Sequence, residues 1–285
     1  MATVTEHPPS TQKCDPKAQS LPEGQGFSGR NKKIWRAALG LFLALGLLTS
    51  CALVSGFLYF YNETKQYEFG ILRTMNDPQR VSELPPEAFP FLHGKKPQIL
   101  GLDEFPEDLH NALIAREDSR FYAHHGVDFQ GVARAILRNL EERKIREGAG
   151  TITMQVARTA YGFQARTFRR KLIETMLALR IEQHFSKKEI IAIYMNWVFL
   201  GMDNHGFARA SQAYFNKPAT SLALGESAIL VGMLRAPNRL DPVRHPEAAL
   251  QERDMVLHRM VHEGLLAEAE AKAEMQLPLT SRGPR

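Results

Sequence analysis

Residues 166–185 read RTFRRKLIETMLALRIEQHF, and their pattern decides the fold. The stretch opens on Arg166, Arg169, Arg170 and Lys171, then turns apolar on every side through Leu172, Ile173, Met176, Leu177, Leu179 and Ile181. A helix that is apolar all round belongs at the centre of its domain. Glu174 stands inside that run, so it requires a cationic or hydrogen-bonding partner or a shifted pKa. Outward from this helix the pattern stays helical. Pro106-Glu107-Asp108 opens a helix with acidic residues in its first turn, and Glu117 falls on the stripe made by Leu109, Ala112 and Leu113. Asp128 is placed to cap a helix whose stripe is Phe129, Val132, Ile136 and Leu140. Gly148-Ala149-Gly150-Thr151 leads into another, with Ile152, Val156 and Ala157, ending near Gly162. Ser186-Lys187-Lys188-Glu189 is a capping-box pattern that launches Ile190, Ile191, Ile193 and Tyr194, with Gly201 closing the element. Three more helices are expected near 207–215, 222–234 and 246–263, the last bounded by Pro246 and Gly264. No segment alternates with period two for long. The expected fold class is mainly α.

The chain has 285 residues, 44% of them hydrophobic and 24% charged, which suits one or two globular domains. That composition excludes wholesale disorder, collagen and coiled coil. Two cysteines, Cys14 and Cys51, cannot make a disulfide scaffold. A net charge of +5 suits anionic partners such as phosphates or anionic lipid without choosing between them. Residues 1–33 are rich in Pro, Ser, Gly and Gln and read as a disordered tail. From Ala37 to Tyr61 no residue is charged, enough to cross a bilayer, and 34–61 reads as a transmembrane helix. Arg30, Lys32, Lys33 and Arg36 precede it, whereas Glu63, Lys65 and Glu68 follow in mixed sign, so the tail is placed in the cytoplasm and the rest outside. Trp35 at one end and Tyr59 and Tyr61 at the other suit the two interfaces. A competing reading takes Leu48-Thr49-Ser50-Cys51 as a lipoprotein processing site. Against it stand the apolar or small residues that continue past Cys51 and an unusually long leader. Residues 62–95, with Pro78, Pro85, Pro86 and Pro90, read as a membrane-proximal connector with short strands or one helix. Residues 96–276 form the main domain and 277–285 a C-terminal tail.

Glu117 and Glu174 are both embedded in apolar helices, and Arg158, Arg166, Arg169, Arg170 and Lys171 form a cationic cluster. Taken alone, this is either a functional site or a basic face with two buried ion pairs. Phosphate-binding glycine loops and a Gly-x-Ser-x-Gly nucleophile elbow are not found. His124-His125 has no third ligand at zinc spacing and reads as structural or hydrogen-bonding. Tyr194, Trp197 and Phe199 read as core.

These residues carry a resemblance. Glu117-Asp118-Ser119-Arg120-Phe121-Tyr122-Ala123-His124-His125-Gly126 is similar to the first motif of the peptidoglycan glycosyltransferases, glycosyltransferase family 51, which runs Glu-Asp-x-x-Phe-x-x-His-x-Gly. Gly148 to Arg158 resembles their second motif, and Arg170-Lys171-x-x-Glu174 their third. Tyr194-Met195-Asn196 with Gly201 and Gly206 resembles the fourth, and Ala236-Pro237 through Pro242 the fifth. The resemblance implies a lysozyme-like α domain over 96–276 on the periplasmic side of the bacterial cytoplasmic (inner) membrane, held by one span, in the monofunctional form without a transpeptidase domain. The implied reaction polymerises lipid II into β-1,4-linked glycan with inversion and release of undecaprenyl pyrophosphate, in cell wall biosynthesis.

The same resemblance implies Glu117 as catalytic base and Glu174 as a second catalytic group, holding a divalent cation (Mg or Mn) or orienting arginines. It implies Asp118, Thr153, Gln155, Arg158, Arg166, Arg170 and Lys171 as substrate-binding residues. Lipid II, the growing glycan strand and membrane lipid are the implied partners, with penicillin-binding transpeptidases as further candidates and no nucleic acid or organic cofactor. The residue chemistry agrees: a sugar hydroxyl needs a base, and a departing pyrophosphate needs positive charge. The chain departs from the second motif at Gly150, Met154 and Arg158, where Ser, Gln and Lys are usual, which on this reading removes two hydrogen bonds to substrate. The rivals are a lysozyme-like lytic muramidase, which has no use for a phosphate cradle, and a membrane-tethered scaffold that binds lipid II without turnover.

Overall fold

The computed structural model describes residues 29–85, 88–89, 92, 97–142, 150–165 and 167–279. The first 28 residues of the expected tail, the last six residues, Gly148, Ala149 and Arg166 lie outside the described residues. The chain divides into two units, Met1–Ser55 and Gly56–Arg285.

The described part of the first unit is helix only. It belongs to α1, Gly29–Glu63, which continues without a break through Cys51. Its apolar side chains are exposed, Phe42 and Leu53 by about three quarters. Thr49 and Ser50 donate their hydroxyls to the Gly46 carbonyl at 2.9 and 2.8 Å, so these polar groups are satisfied within the helix. Lys33–Gln66 is long and apolar enough to cross a membrane.

The second unit is mainly α, as expected, and no strand occurs among its described residues. After a 3-10 turn at Thr64–Gln66 come α2 (Gly70–Met75) and α3 (Pro78–Glu83). The Asp77 carboxylate caps α3, accepting from the backbone N–H of Gln79 and Arg80 at 3.0 and 3.2 Å. The expectation that 62–95 is a connector with short strands or one helix needs correction. Leu72, Met75 and Val81 are buried in the main core, and the Trp197 indole donates to the Met75 carbonyl at 2.9 Å. The prolines drew attention to loops, but apolar residues one helical turn apart give this segment a face to bury.

Two sets of helices carry the rest. In one, α4 (Glu107–Glu117) packs against α10 (Leu224–Met233) and α11 (Pro246–His262), with α12 (Glu268–Met275) lying on α11. In the other, α6 (Ile152–Ala160) packs on α7 (Phe168–Ile181) and α8 (Lys187–Trp197). The α7 side chains Ile173, Leu177, Ala178 and Ile181 are buried, as an all-round apolar helix requires. The Ser186–Glu189 capping box forms: the Ser186 N–H donates to Glu189 Oε2 at 2.7 Å, and the Glu189 N–H donates to Ser186 Oγ at 3.3 Å. The helix expected after Asp128 forms as α5 (Phe129–Glu142). Its apolar residues Phe129 and Leu140 are 70% exposed, whereas Ala135 is buried. Periodicity shows that a helix has an apolar face, not what covers that face.

From α8 the chain turns through Leu200–Asn204 into α9 (Phe207–Phe215). Gly206 makes this turn with φ +80°, and a Cβ there would stand 2.2 Å from the Asn196 carbonyl oxygen. Both the dihedral and the contact exclude a side chain. Gly206→Ala is therefore expected to lower stability by at least about 1–3 kcal/mol, the usual cost of forcing a side chain into such a conformation. An unchanged melting temperature would contradict this.

Candidate functional site

Helix α4 ends at Glu117, where it meets the N-terminal end of α6. The joint is made by Asp118. One of its oxygens accepts from the Ile152 N–H at 3.1 Å, and His124 Nε2 lies 3.0 Å from both. Thr151 caps α6, accepting from the Met154 N–H at 3.2 Å while donating to the Gly126 carbonyl at 2.7 Å. These bonds fix which face of α6 looks toward Glu117. Gln155 lies on that face, and its Nε2 donates to Glu117 Oε2 at 2.9 Å. Its Oε1 accepts from the Tyr194 hydroxyl of α8 at 3.0 Å.

Glu117 keeps part of its surface in solvent although it is densely surrounded. Burial pushes its pKa above the usual carboxylate range, against the opposing pull of the Gln155 hydrogen bond and the Arg116 charge. A carboxyl that is reachable and less acidic than normal is suited to accept a proton as a general base.

One turn beyond Gln155, on the same face of α6, Arg158 reaches Glu174 of α7. Arg158 Nε donates to Glu174 Oε1 at 2.9 Å and Nη2 to Oε2 at 3.2 Å, a fork that occupies both oxygens. Glu174 has no exposed surface, whereas the Arg158 side chain is 39% exposed. Arg170 Nε lies 3.4 Å from Glu174 Oε1 and, among the described residues, finds no hydrogen-bond partner. Lys171 is half-buried, and burial lowers its pKa while Glu174 pulls it up. Its ammonium stands 3.3 Å from where a Cβ on Gly150 would be, so the glycine leaves it room.

The structure thus brings Glu117, Gln155, Arg158, Arg170, Lys171 and Glu174 together around α6 and α7. It places others differently. Asp118 and Thr153, expected to bind substrate, are buried with their side-chain oxygens engaged inside the protein. The Thr153 hydroxyl donates to Glu182 Oε1 at 2.6 Å, and Glu182 also accepts from Lys187 Nζ. In the structure both join elements of the fold. Met154 is buried too. Arg169 is turned to Glu63. Tyr194, expected in the core and in the fourth motif, is buried, and its hydroxyl belongs to the site. Elsewhere in the fourth and fifth motifs the contacts lie within the scaffold. Asn196 exchanges two hydrogen bonds with the Leu100 backbone, at 3.0 and 2.8 Å, and Gly201 lies close under the Pro237 carbonyl.

The donor set does not fit a divalent cation held by the protein. Both Glu174 oxygens are taken by Arg158, and among the described residues no three His, Cys, Asp or Glu side chains converge.

A family model described as Transglycosylase matches residues 87–261, more than half the chain. A candidate transglycosylase of Cupriavidus necator is 40% identical over 186 residues, which are 65% of this chain and 80% of that protein. Penicillin-binding protein 1A of Neisseria flavescens and that of Neisseria gonorrhoeae are each 44% identical over 165 residues, 58% of this chain. The chain spans about a fifth of the length of these Neisseria proteins, 21%. Among solved structures, penicillin-binding protein 1A from Haemophilus influenzae matches with a TM-score of 0.42 and 22% identity, over 67% of this chain and 19% of that one.

Proposed function

Since the chain belongs to the transglycosylase family, glycosyltransferase family 51, we propose that it polymerises lipid II into peptidoglycan glycan strands. One observation carries this reading: Glu117 and the cations Arg158, Arg170 and Lys171 flank one face of α6, joined through Gln155 and Arg158 one turn apart. In the proposed reaction Glu117 takes the proton from the acceptor sugar 4-hydroxyl as its oxygen bonds to the anomeric carbon of the donor strand. The bond from that carbon to undecaprenyl pyrophosphate breaks on the opposite side, with inversion. The leaving pyrophosphate keeps its electron pair and needs no proton; it needs positive charge, which the arginines and Lys171 supply. Glu174 acts through Arg158, which it holds in place. Both components of the reaction sit at a membrane, and the charge-free run of α1 would hold the domain there as a single span, with the basic side of α1 in the cytoplasm and the enzyme outside.

Purified full-length protein in detergent with labelled lipid II is the direct test. Glycan strands resolved on a gel support the proposal. Cleavage of preformed strands would replace it with a muramidase, and binding without either product with a scaffold.

A further inference from the structure

We infer that Tyr194 is a positioning residue for the proposed reaction: its hydroxyl fixes the side-chain amide of Gln155 so that Gln155 offers an N–H, not a carbonyl, to Glu117. The inference rests on the polymerase reading for its kinetic consequences but not for its geometry. Tyr194 is 2% exposed, and its hydroxyl lies 3.0 Å from Gln155 Oε1, while Gln155 Nε2 lies 2.9 Å from Glu117 Oε2. An amide can sit either way round, and the network decides which. Burial holds the phenol far from ionisation, so Tyr194 keeps its proton and can donate. With that donor on one side, the amide oxygen turns to Tyr194 and the N–H to the carboxylate. Reversed, the amide would set a carbonyl oxygen against an ionised carboxylate, two acceptors with no proton between them.

Burial makes ionised Glu117 costly, and the Gln155 N–H is the hydrogen bond that offsets this. The charged and titratable groups around it come from each packed element. Arg116 and Asp118 adjoin it in sequence, Arg116 being itself paired with Glu252 of α11 at 3.2 Å. From α8 comes Tyr194, and from α6 Arg158, which acts on Tyr194. Of these, Tyr194 is the group that hydrogen-bonds the Gln155 amide oxygen. Losing its hydroxyl leaves that buried oxygen without its donor, loosens the amide beside Glu117, weakens the N–H bond to the ionised carboxylate and raises the pH at which Glu117 gives up its proton.

The test is Tyr194→Phe, which removes one oxygen and keeps the ring in the core. The Glu117 side-chain carboxyl is titrated by carbon NMR of glutamate-labelled full-length protein, its resonance identified by its loss in Glu117→Gln. The expected result is a midpoint moved up by at least half a pH unit in Tyr194→Phe and in Gln155→Ala, with no further shift in the double variant. In the strand assay the acidic limb of kcat/KM moves up by the same amount, and on that limb kcat falls about threefold or more with KM little changed, a half-unit shift being about threefold in the ionised fraction. An unmoved midpoint in Tyr194→Phe, or shifts that add in the double variant, would overturn the positioning role. If the midpoint moves as expected while the unmodified protein makes no strands, the positioning stands and the polymerase reading fails.

Discussion

Glu117→Gln is expected to cripple the proposed strand synthesis and at the same time to make the fold more stable. The kinetic half follows from the base. Without a proton acceptor beside the sugar hydroxyl, the rate should fall by about 10²–10⁴-fold, the usual contribution of such a group. Substrate binding should change little, because the cations proposed to meet the pyrophosphate are untouched. The stability half follows from the raised pKa. A carboxyl whose folded pKa lies above its unfolded value binds protons more readily in the folded chain. Its contribution to stability is present in full below the unfolded value, about 4.3, and is lost as pH rises through the folded one. At neutral pH the ionised group is a burden on the fold that a neutral amide of the same shape lacks. The variant should therefore melt higher than the parent at pH 7, and the gap should close as the pH falls below about 4. A rate within a few-fold of normal would remove Glu117 as the base. A gap that widened toward acid would show the sign of the shift to be wrong.

What could be read from the sequence was what neighbouring residues determine among themselves. The apolar ring of 172–181, the Ser186–Glu189 capping box and the Pro246–Gly264 limits of α11 depend on residues within a few turns of each other, and all three appear in the structure. Glu174 was identifiable as a buried carboxylate in need of a partner, but which partner was not. Arg158 lies sixteen positions earlier on another helix, and only the packing of α6 on α7 makes it the nearest guanidinium. Asp118 and Thr153 show the converse limit. Their place in a motif does not reveal whether their oxygens face a ligand or another part of the protein. Tyr194 stands in the fourth motif, but that place does not reveal what its hydroxyl bonds, since a buried tyrosine in an apolar helix looks the same whether or not its oxygen has work to do.

The largest loss of stability should come from Arg158→Ala, and its remedy should separate what this arginine does for the fold from what it does for substrate. Removing the guanidinium leaves Glu174 buried, with Oε2 losing its partner among the described residues and Oε1 left with Arg170 at 3.4 Å. Breaking a buried ion pair from one side costs about 3–5 kcal/mol. The lower part of that range applies here, because Arg158 is 39% exposed and Arg170 remains. For a domain of this size that is a fall in melting temperature of roughly 10 °C. Arg158→Lys should fall between, since an ammonium is a point charge and cannot satisfy both oxygens at once. Adding Glu174→Gln to Arg158→Ala takes away the stranded charge, so the double variant should regain most of the lost stability. It should not regain function. With the fold restored but one cation gone from the pyrophosphate site, its KM for lipid II should stay elevated. If the double variant instead polymerises as well as the parent, Arg158 serves only to neutralise Glu174, and the charge on the leaving group must be met by Arg170 and Lys171 alone.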